Sequence, residues 1–324
     1  MAKKNVLFFS DFGVDDFVAA IYAYFNDEIN IVGVVGDYGN VPKDFAVRNA
    51  AFLQAITGFT DIPVIGGAEL PLTGDHPIYY PEIHGLEGLG PISPKFDCFN
   101  INLENFHDIN KIIAKYKHDI YIVNVGRLSS LAAAFILYPS LMKQVKEFYI
   151  MGGAFVVPGN VTPVAEANFF GDPYAANIVI NMAPKMIHII PLDVTSAAII
   201  TPDMIDKLHT YYCAINSQAG MLVKPLVDYY YNFYKNKNPD IPGSPMHDVL
   251  TLWALTDAAE MDYIQEPVKI VVDRGEAFGK SIADLRKSAD KARFKVHKIA
   301  HCFNYSLFVN TFYETMRNHH GRTF

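Results

Sequence analysis

Asn5-Val6-Leu7-Phe8-Phe9-Ser10-Asp11-Phe12-Gly13-Val14-Asp15-Asp16 is the stretch on which the reading of the fold turns. Its run from Val6 to Phe9 is apolar throughout, which predicts a strand over 5–10 covered on both faces, since a half-exposed strand would alternate polar and apolar residues. Residues 16–25 switch to a helical period, so strand passes into helix across Asp11 to Asp15. The same unit repeats outward. Strands are predicted at 29–36, 119–125, 147–151 and 186–191, and helices at 43–57, 128–137 and 173–182. Alternation of this kind predicts an α/β fold: a single open, mostly parallel sheet with helices on both faces. Farther on, 210–234 reads as one aromatic-rich helix, 247–256 and 305–316 as helices, and 268–273 and 293–299 as strands. The connection 66–93, rich in Gly and Pro, exceeds ordinary loop length, and long ordered loops commonly wall a site.

Composition narrows the function classes. The chain has 324 residues, 51% hydrophobic and 19% charged, a profile far from that of disordered chains. No composition break or repeat divides it, so one domain over 1–324 is expected. A formal charge of -7 with scattered Lys and Arg argues against a nucleic-acid coat. Cys98, Cys213 and Cys302 are too far apart and too few for a zinc cluster or disulfide frame and are read as buried free thiols. The N-terminal apolar run is too short for a signal segment, and no run of about 18 apolar residues predicts a membrane span. A cytoplasmic, reducing setting is the corresponding expectation.

Asp11, Asp15 and Asp16 lie where a parallel strand meets its helix, the edge at which open α/β sheets bind ligands. Three carboxylates in six residues repel one another unless something positive sits among them. A helix cap with a favourable dipole interaction explains one or two, and a hard cation explains all three. Such an ion needs more oxygens, which must come from other strand ends: Gly39-Asn40, the loop 124–129, and the segment 151–172 with Asn160, Glu166 and Asn168. Amides and a carboxylate suit sugar hydroxyls, which donate and accept; taken singly, each Asn also reads as a turn residue.

In this ordered set the chain resembles the inosine-uridine-type nucleoside hydrolases. Asp11, Gly13, Asp15 and Asp16 fall on the family's Asp-x-Asp-Pro-Gly-x-Asp-Asp motif. The likeness continues through Asn40, Arg48-Asn49-Ala50, His84-Gly85, Gly126 to Leu131, Met151 to Phe155, Pro158 to Pro163, Ala165 to Asn168 and Asp172-Pro173, ending at His247-Asp248. The resemblance implies a Rossmann-like nucleoside hydrolase fold and calcium-dependent hydrolysis of ribonucleosides to ribose and free base, a step of purine and pyrimidine salvage. It implies that Asp11 and Asp16 hold calcium, joined by the main-chain oxygen of Ser129 and the Asp248 carboxylate. Asp11 would also be the general base for a calcium-bound water, and His247 the acid that assists the departing base. Asp15, Asn40, His84, Met151, Asn160, Glu166 and Asn168 would contact the substrate. Homodimers or homotetramers are implied as well.

The chemistry supports that division independently. Cleavage of an N-ribosidic bond passes through an oxocarbenium-like centre, so negative charge beneath the sugar and a water opposite the base are needed. A histidine near its ordinary pKa of about 6.5 can supply the leaving-group proton around neutrality. Tyr229 or Tyr231, in the aromatic run before His247, is expected to face the base, although helical spacing also suits packing. His247 in the leaving-group position suggests a non-specific or pyrimidine-preferring member, with Trp253 on a core helix.

The sequence departs from the family at Phe9, where an aspartate is usual, at Phe12 in place of proline, and at 126–131, which reads Gly-Arg-Leu-Ser-Ser-Leu for Gly-Pro-Leu-Thr-Asn-Leu. Loss of the first aspartate predicts weaker metal affinity. These departures motivate an alternative, a catalytically weakened calcium-bound protein that senses a nucleoside or sugar. A phosphatase with an aspartate nucleophile ranks last, because the residue two before Asp11 is Phe9.

Overall fold

The computed structural model describes residues 3–94, 104–286, 288 and 290–317. In chain order its elements are β1 (Lys4–Ser10), α1 (Val14–Phe25), β2 (Ile29–Gly36), α2 (Lys43–Thr57), β3 (Val64–Gly66), α3 (Pro81–His84), α4 (Ile109–Lys115), β4 (Ile120–Asn124), α5 (Ser129–Leu137) and α6 (Pro139–Met142). They continue with β5 (Glu147–Met151), α7 (Ala167–Gly171), α8 (Pro173–Met182), β6 (Ile187–Ile190), α9 (Leu192–Thr195), β7 (Ile199–Ile200), α10 (Pro202–Ile215) and α11 (Gln218–Lys237). Last come β8 (Ser244–Pro245), α12 (His247–Thr256), β9 (Met261–Ile270), β10 (Ser281–Ala283), β11 (Val296–Phe303) and α13 (Tyr305–Arg317).

Nine strands form one sheet in the order β10-β9-β11-β6-β5-β4-β1-β2-β3. Every pairing from β11 to β3 is parallel; only β9 runs antiparallel, against β11 and β10. From β1 the chain moves one way to β2 and β3, then returns to the other side of β1 for β4, β5 and β6. The ends of β1 and β4 therefore border the crevice that a reversal of strand order opens. Alternation along β1 divides the interior. Val6 and Phe8 join a core with α1, α12 and α13, while Leu7 and Phe9 join another with α4, α5 and α8. Covering both faces is what the apolar strands required.

The strands and helices of the first half lie within two residues of the sequence expectation, and α12 begins at His247 as expected. The expected helix 210–234 is two helices. Asn216 takes a left-handed conformation (φ 55°) at the end of α10, and the Ser217 hydroxyl accepts the Gly220 N–H at 3.3 Å to start α11. The last strands are displaced from 268–273 and 293–299 because β9 is an antiparallel, partly exposed strand whose Asp262, Gln265 and Glu266 mask the pattern. Cys213 and Cys302 are free thiols, and both are exposed rather than buried; Cys98 lies outside the described residues. Among the described residues, no helix is long and apolar enough to cross a membrane.

Candidate active site

The loop after β1 is shaped by its own side chains. Phe12 has φ 45°, a left-handed conformation that is strained for a bulky residue. It is held by its N–H donating to Ser10 Oγ (3.0 Å), by its carbonyl accepting from Asn49 Nδ2 (3.2 Å), and by an edge contact with Phe8. Helix α1 then opens at Val14, two residues earlier than expected, so Asp15 and Asp16 stand in its first turn near the positive end of the dipole. Asp16 accepts from Gly13 N (3.0 Å) and Ser10 Oγ (2.8 Å). Its capping role is therefore real, yet leaves Asp11 and Asp15 unexplained.

Asp11 is fully buried and accepts from both the backbone N–H (2.7 Å) and the side-chain amide (3.0 Å) of Asn40. Gly39 is required there, because a Cβ would lie 1.9 Å from Asp11 Oδ2. Asp248, at the start of α12, reaches the same place: Asp15, Asp16 and Asp248 can present oxygens within 4.8 Å of one another, all buried. Burial first and the neighbouring carboxylates after it raise all three pKa values, Asp15 to about 6. Asp15 Oδ1 is buried with no hydrogen-bond partner, while Oδ2 accepts from Tyr230 OH at 3.0 Å. An orphaned oxygen inside a buried triad of hard donors fits a divalent cation.

Asp15 and Asp248 border a cavity of about 850 Å³, counting its open mouth, while Asp11 and Asp16 are buried and are not among the residues that line it. Asp15, Asn40, His84, Met151, Asn160, Glu166, Asn168, His247 and Asp248, all expected at the site, line it. Glu166 caps α7, accepting from the N–H groups of Gly153 (2.9 Å), Asn168 (2.7 Å) and Phe169 (3.1 Å), which offset the upward push of burial on its pKa. Asn160 accepts from the Ala167 N–H at 2.9 Å. His84 accepts from the Val14 N–H at 3.1 Å and stays neutral, its pKa lowered to about 3 by burial and the nearby Arg127 charge.

Ser129 Oγ donates to Asp172 (2.6 Å) and contacts Tyr38 OH (2.9 Å); the atom expected at the metal is its main-chain oxygen. Two residues sit differently from expectation. Tyr229 packs against Gly90 and Tyr231 donates to the Ile241 carbonyl. The face of α11 that lines the cavity is instead Tyr230, Phe233, Tyr234 and Lys237. The spacing of 230 and 234 by one helical turn was a readable signal. His247 also departs from an ordinary histidine, since burial lowers its pKa to about 4. Its ring is fixed at both ends, Nε2 by Tyr234 OH (3.0 Å) and Nδ1 by Thr195 Oγ1 (2.8 Å). Tyr234 OH lies 3.3 Å from Tyr230 OH, so hydrogen bonds run unbroken from Asp15 to Thr195. Trp253 lies in the core against Phe303 and Phe308, not in the cavity.

Residues 6–310 match the family described as inosine-uridine preferring nucleoside hydrolase. The chain belongs to this family. It is 32% identical over 259 residues to a probable uridine nucleosidase 2 of Arabidopsis thaliana, covering 78% of this chain and 77% of that one. To the inosine-uridine preferring nucleoside hydrolase of Crithidia fasciculata it is 30% identical over 292 residues, 87% and 88% of the two chains. Among solved structures, a plant nucleoside hydrolase matches with a TM-score of 0.88 at 27% identity over 97% of this chain and 99% of that one. A purine-preferring ribonucleoside hydrolase from Gardnerella vaginalis matches with 0.87 at 27% identity, over 97% and 98%. The protein is a ribonucleoside hydrolase.

Proposed function

We propose that this hydrolase is calcium-dependent and cleaves nucleosides in the cavity that the carboxylates and the hydrogen-bonded Tyr230, Tyr234 and His247 chain both line. The reading rests on one observation: Asp15 and Asp248, two members of the buried triad with Asp16, line the same cavity as Tyr230, Tyr234 and His247. Asp16 and Asp248, with Asp15 and Asp11 beside them and the main-chain oxygen of Ser129, would hold the ion. Calcium bound there supplies Lewis acidity that makes a water easier to deprotonate.

The chain's own residues do the rest. Asp11, oriented by Asn40, accepts the proton of the attacking water as its oxygen bonds C1′ and the bond from C1′ to the base nitrogen breaks. Asp15, Asn40, Asn160 and Glu166 grip the sugar, and Asn168, His84 and Met151 complete the wall. With its pKa near 4, His247 is neutral at pH 7, so the leaving-group proton comes from the hydrogen-bonded Tyr234 and His247 pair rather than from a free imidazolium. With aromatic Tyr230, Phe233 and Tyr234 in the wall and no tryptophan, the site favours a non-specific or pyrimidine-preferring enzyme. The working form is proposed to be a homodimer or homotetramer, which light scattering would test.

Ribose release from inosine, uridine, cytidine, adenosine and nicotinamide riboside, with calcium and after chelation, tests the proposal. Turnover lost on chelation and restored by calcium supports it; chelator-insensitive turnover, or silence on every substrate, refutes it.

A further inference from the structure

Arg127 occupies the position at which the resemblance leads one to expect a proline, and it is the buried cation of the cavity wall. It is 2% exposed, follows β4, and has no room to swing away: a Cβ on Gly171 would lie 2.3 Å from its Nε. One guanidinium nitrogen, NH1, donates to Asn168 Oδ1 at 2.6 Å and lies 3.5 Å from Asp11 Oδ2, while the group sits 5.9 Å from the Tyr80 ring centre.

Two consequences follow. First, the Asn168 amide is committed within the protein, its Nδ2 to the carbonyls of Val125 (2.7 Å) and Met151 (3.2 Å) and its Oδ1 to Arg127. The donors left to meet a sugar oxygen at this point are those of the guanidinium, which lines the cavity. Second, the guanidinium lies 3.5 Å from Asp11, which adjoins the triad in sequence and is proposed to share the ion with it, so a fixed positive charge there acts on the same carboxylates that attract a dication.

We propose that Arg127 is a positioning residue of the ribose site, a fixed cation that clamps Asp11 to Asn168 and shares the carboxylates with the dication. A dication offsets two of the four aspartate charges and Arg127 one more. The arrangement trades metal affinity for a rigid, donor-rich floor under the sugar. The inference rests on the metal-dependent reading above, and the test separates the two.

Calcium is titrated into metal-stripped wild type, R127M, R127Q and R127K without substrate, read by calorimetry and melting temperature, and KM is then measured for inosine and uridine. The two hydrogen bonds from Asn40 to Asp11 do not involve Arg127, so none of the substitutions removes a partner from them. Removing the charge in R127M and R127Q is expected to tighten calcium binding on the order of tenfold, as expected for a like charge withdrawn from a poorly screened site. R127K keeps the charge and is expected to hold wild-type calcium affinity within about twofold, while all three variants raise KM by about tenfold or more because the fork is lost. A purely structural role would weaken calcium binding in every variant. Unchanged or weaker binding in both R127M and R127Q, with wild type binding calcium, overturns this inference alone. No calcium-dependent heat or melting shift in wild type overturns the metal reading and this inference with it.

Discussion

Gly39→Ala tests the placement of Asp11 while leaving every functional group in the chain. Gly39 does not use a left-handed conformation, so alanine suits its backbone. The new methyl would nevertheless stand 1.9 Å from Asp11 Oδ2 and 2.7 Å from its carboxyl carbon, where ordinary contacts begin at 3.4 Å. Carboxylate and loop together must yield by about 1.5 Å, the difference between the contact and its ordinary limit. Displacement by about 1 Å of a group that must meet a reacting atom costs roughly 10²-fold in rate, or about 2.7 kcal/mol of transition-state stabilisation. The variant should therefore lose a hundredfold or more in kcat/KM for its best nucleoside, measured by ribose release, with a melting temperature within a few degrees of wild type. Gly275→Ala, which meets nothing within 4 Å, is the matched control. A folded Gly39→Ala enzyme within about threefold of wild type would refute the assignment of Asp11 as the base.

Other outcomes follow from the same geometry. His247→Ala should slow nucleoside cleavage by about 10²-fold or more yet leave cleavage of p-nitrophenyl riboside nearly intact, because that leaving group departs without a proton; equal losses on both would remove the pair from leaving-group chemistry. Chelation should lower the melting temperature by returning three close carboxylates to mutual repulsion, with calcium restoring it in a concentration-dependent shift. His297 is buried between Ile187 N (3.0 Å) and the Ile180 carbonyl (2.9 Å), and burial with nearby Lys295 lowers its pKa to about 4. The unfolded chain binds that proton from about pH 6.5 downward and the folded chain only near 4, so this stability is complete above pH 6.5 and lost on acidification, by up to about 3 kcal/mol. Asp37, raised to about 8 by burial, acts in the opposite sense. The quantity to measure is therefore the difference between wild type and His297→Gln in urea at pH 7.5 and pH 4.5; a constant difference would contradict the assignment.

The parts of this enzyme that were legible in its sequence are those governed by local chemistry. Val6 to Phe9 announce a strand buried on both faces, and the crowding of Asp11, Asp15 and Asp16 announces a need for positive charge whatever the fold. Asp248 could be joined to them only by resemblance, since 232 residues separate it from Asp16 and no local pattern encodes their meeting at 4.8 Å. The orientation of α11 was hidden for a related reason. Five aromatics within 229–234 supply a candidate for every face, and packing of α11 against α1 selects Tyr230, which reaches Asp15 while Tyr229 turns to Gly90. The pKa of His247 was misjudged because burial is a property of the assembled site, and an ordinary value assumes water that the folded chain excludes.

The departures at Phe9 and Phe12 gain a physical account that bears on the alternative of a weakened sensor. Phe9 points into the core beside α5 with Leu7, Val35 and Ile122, on the sheet face opposite Phe8. An aspartate there would have to be neutralised in that core, so Phe9 removes a charge from behind the site without removing an oxygen from the triad. Phe12 is more consequential, because φ 45° is closed to proline, whose ring holds φ near -65°. This loop therefore follows a path that proline at this position would forbid, and Arg127, itself in place of proline, lies beside Asp11 at the loop's start. The substitutions act on the support of Asp11 and on the charge around it rather than on the donor set. They are expected to shift metal affinity and KM before they abolish turnover, which places the tuning of this enzyme at the end of β1 and in the loops after β1 and β4.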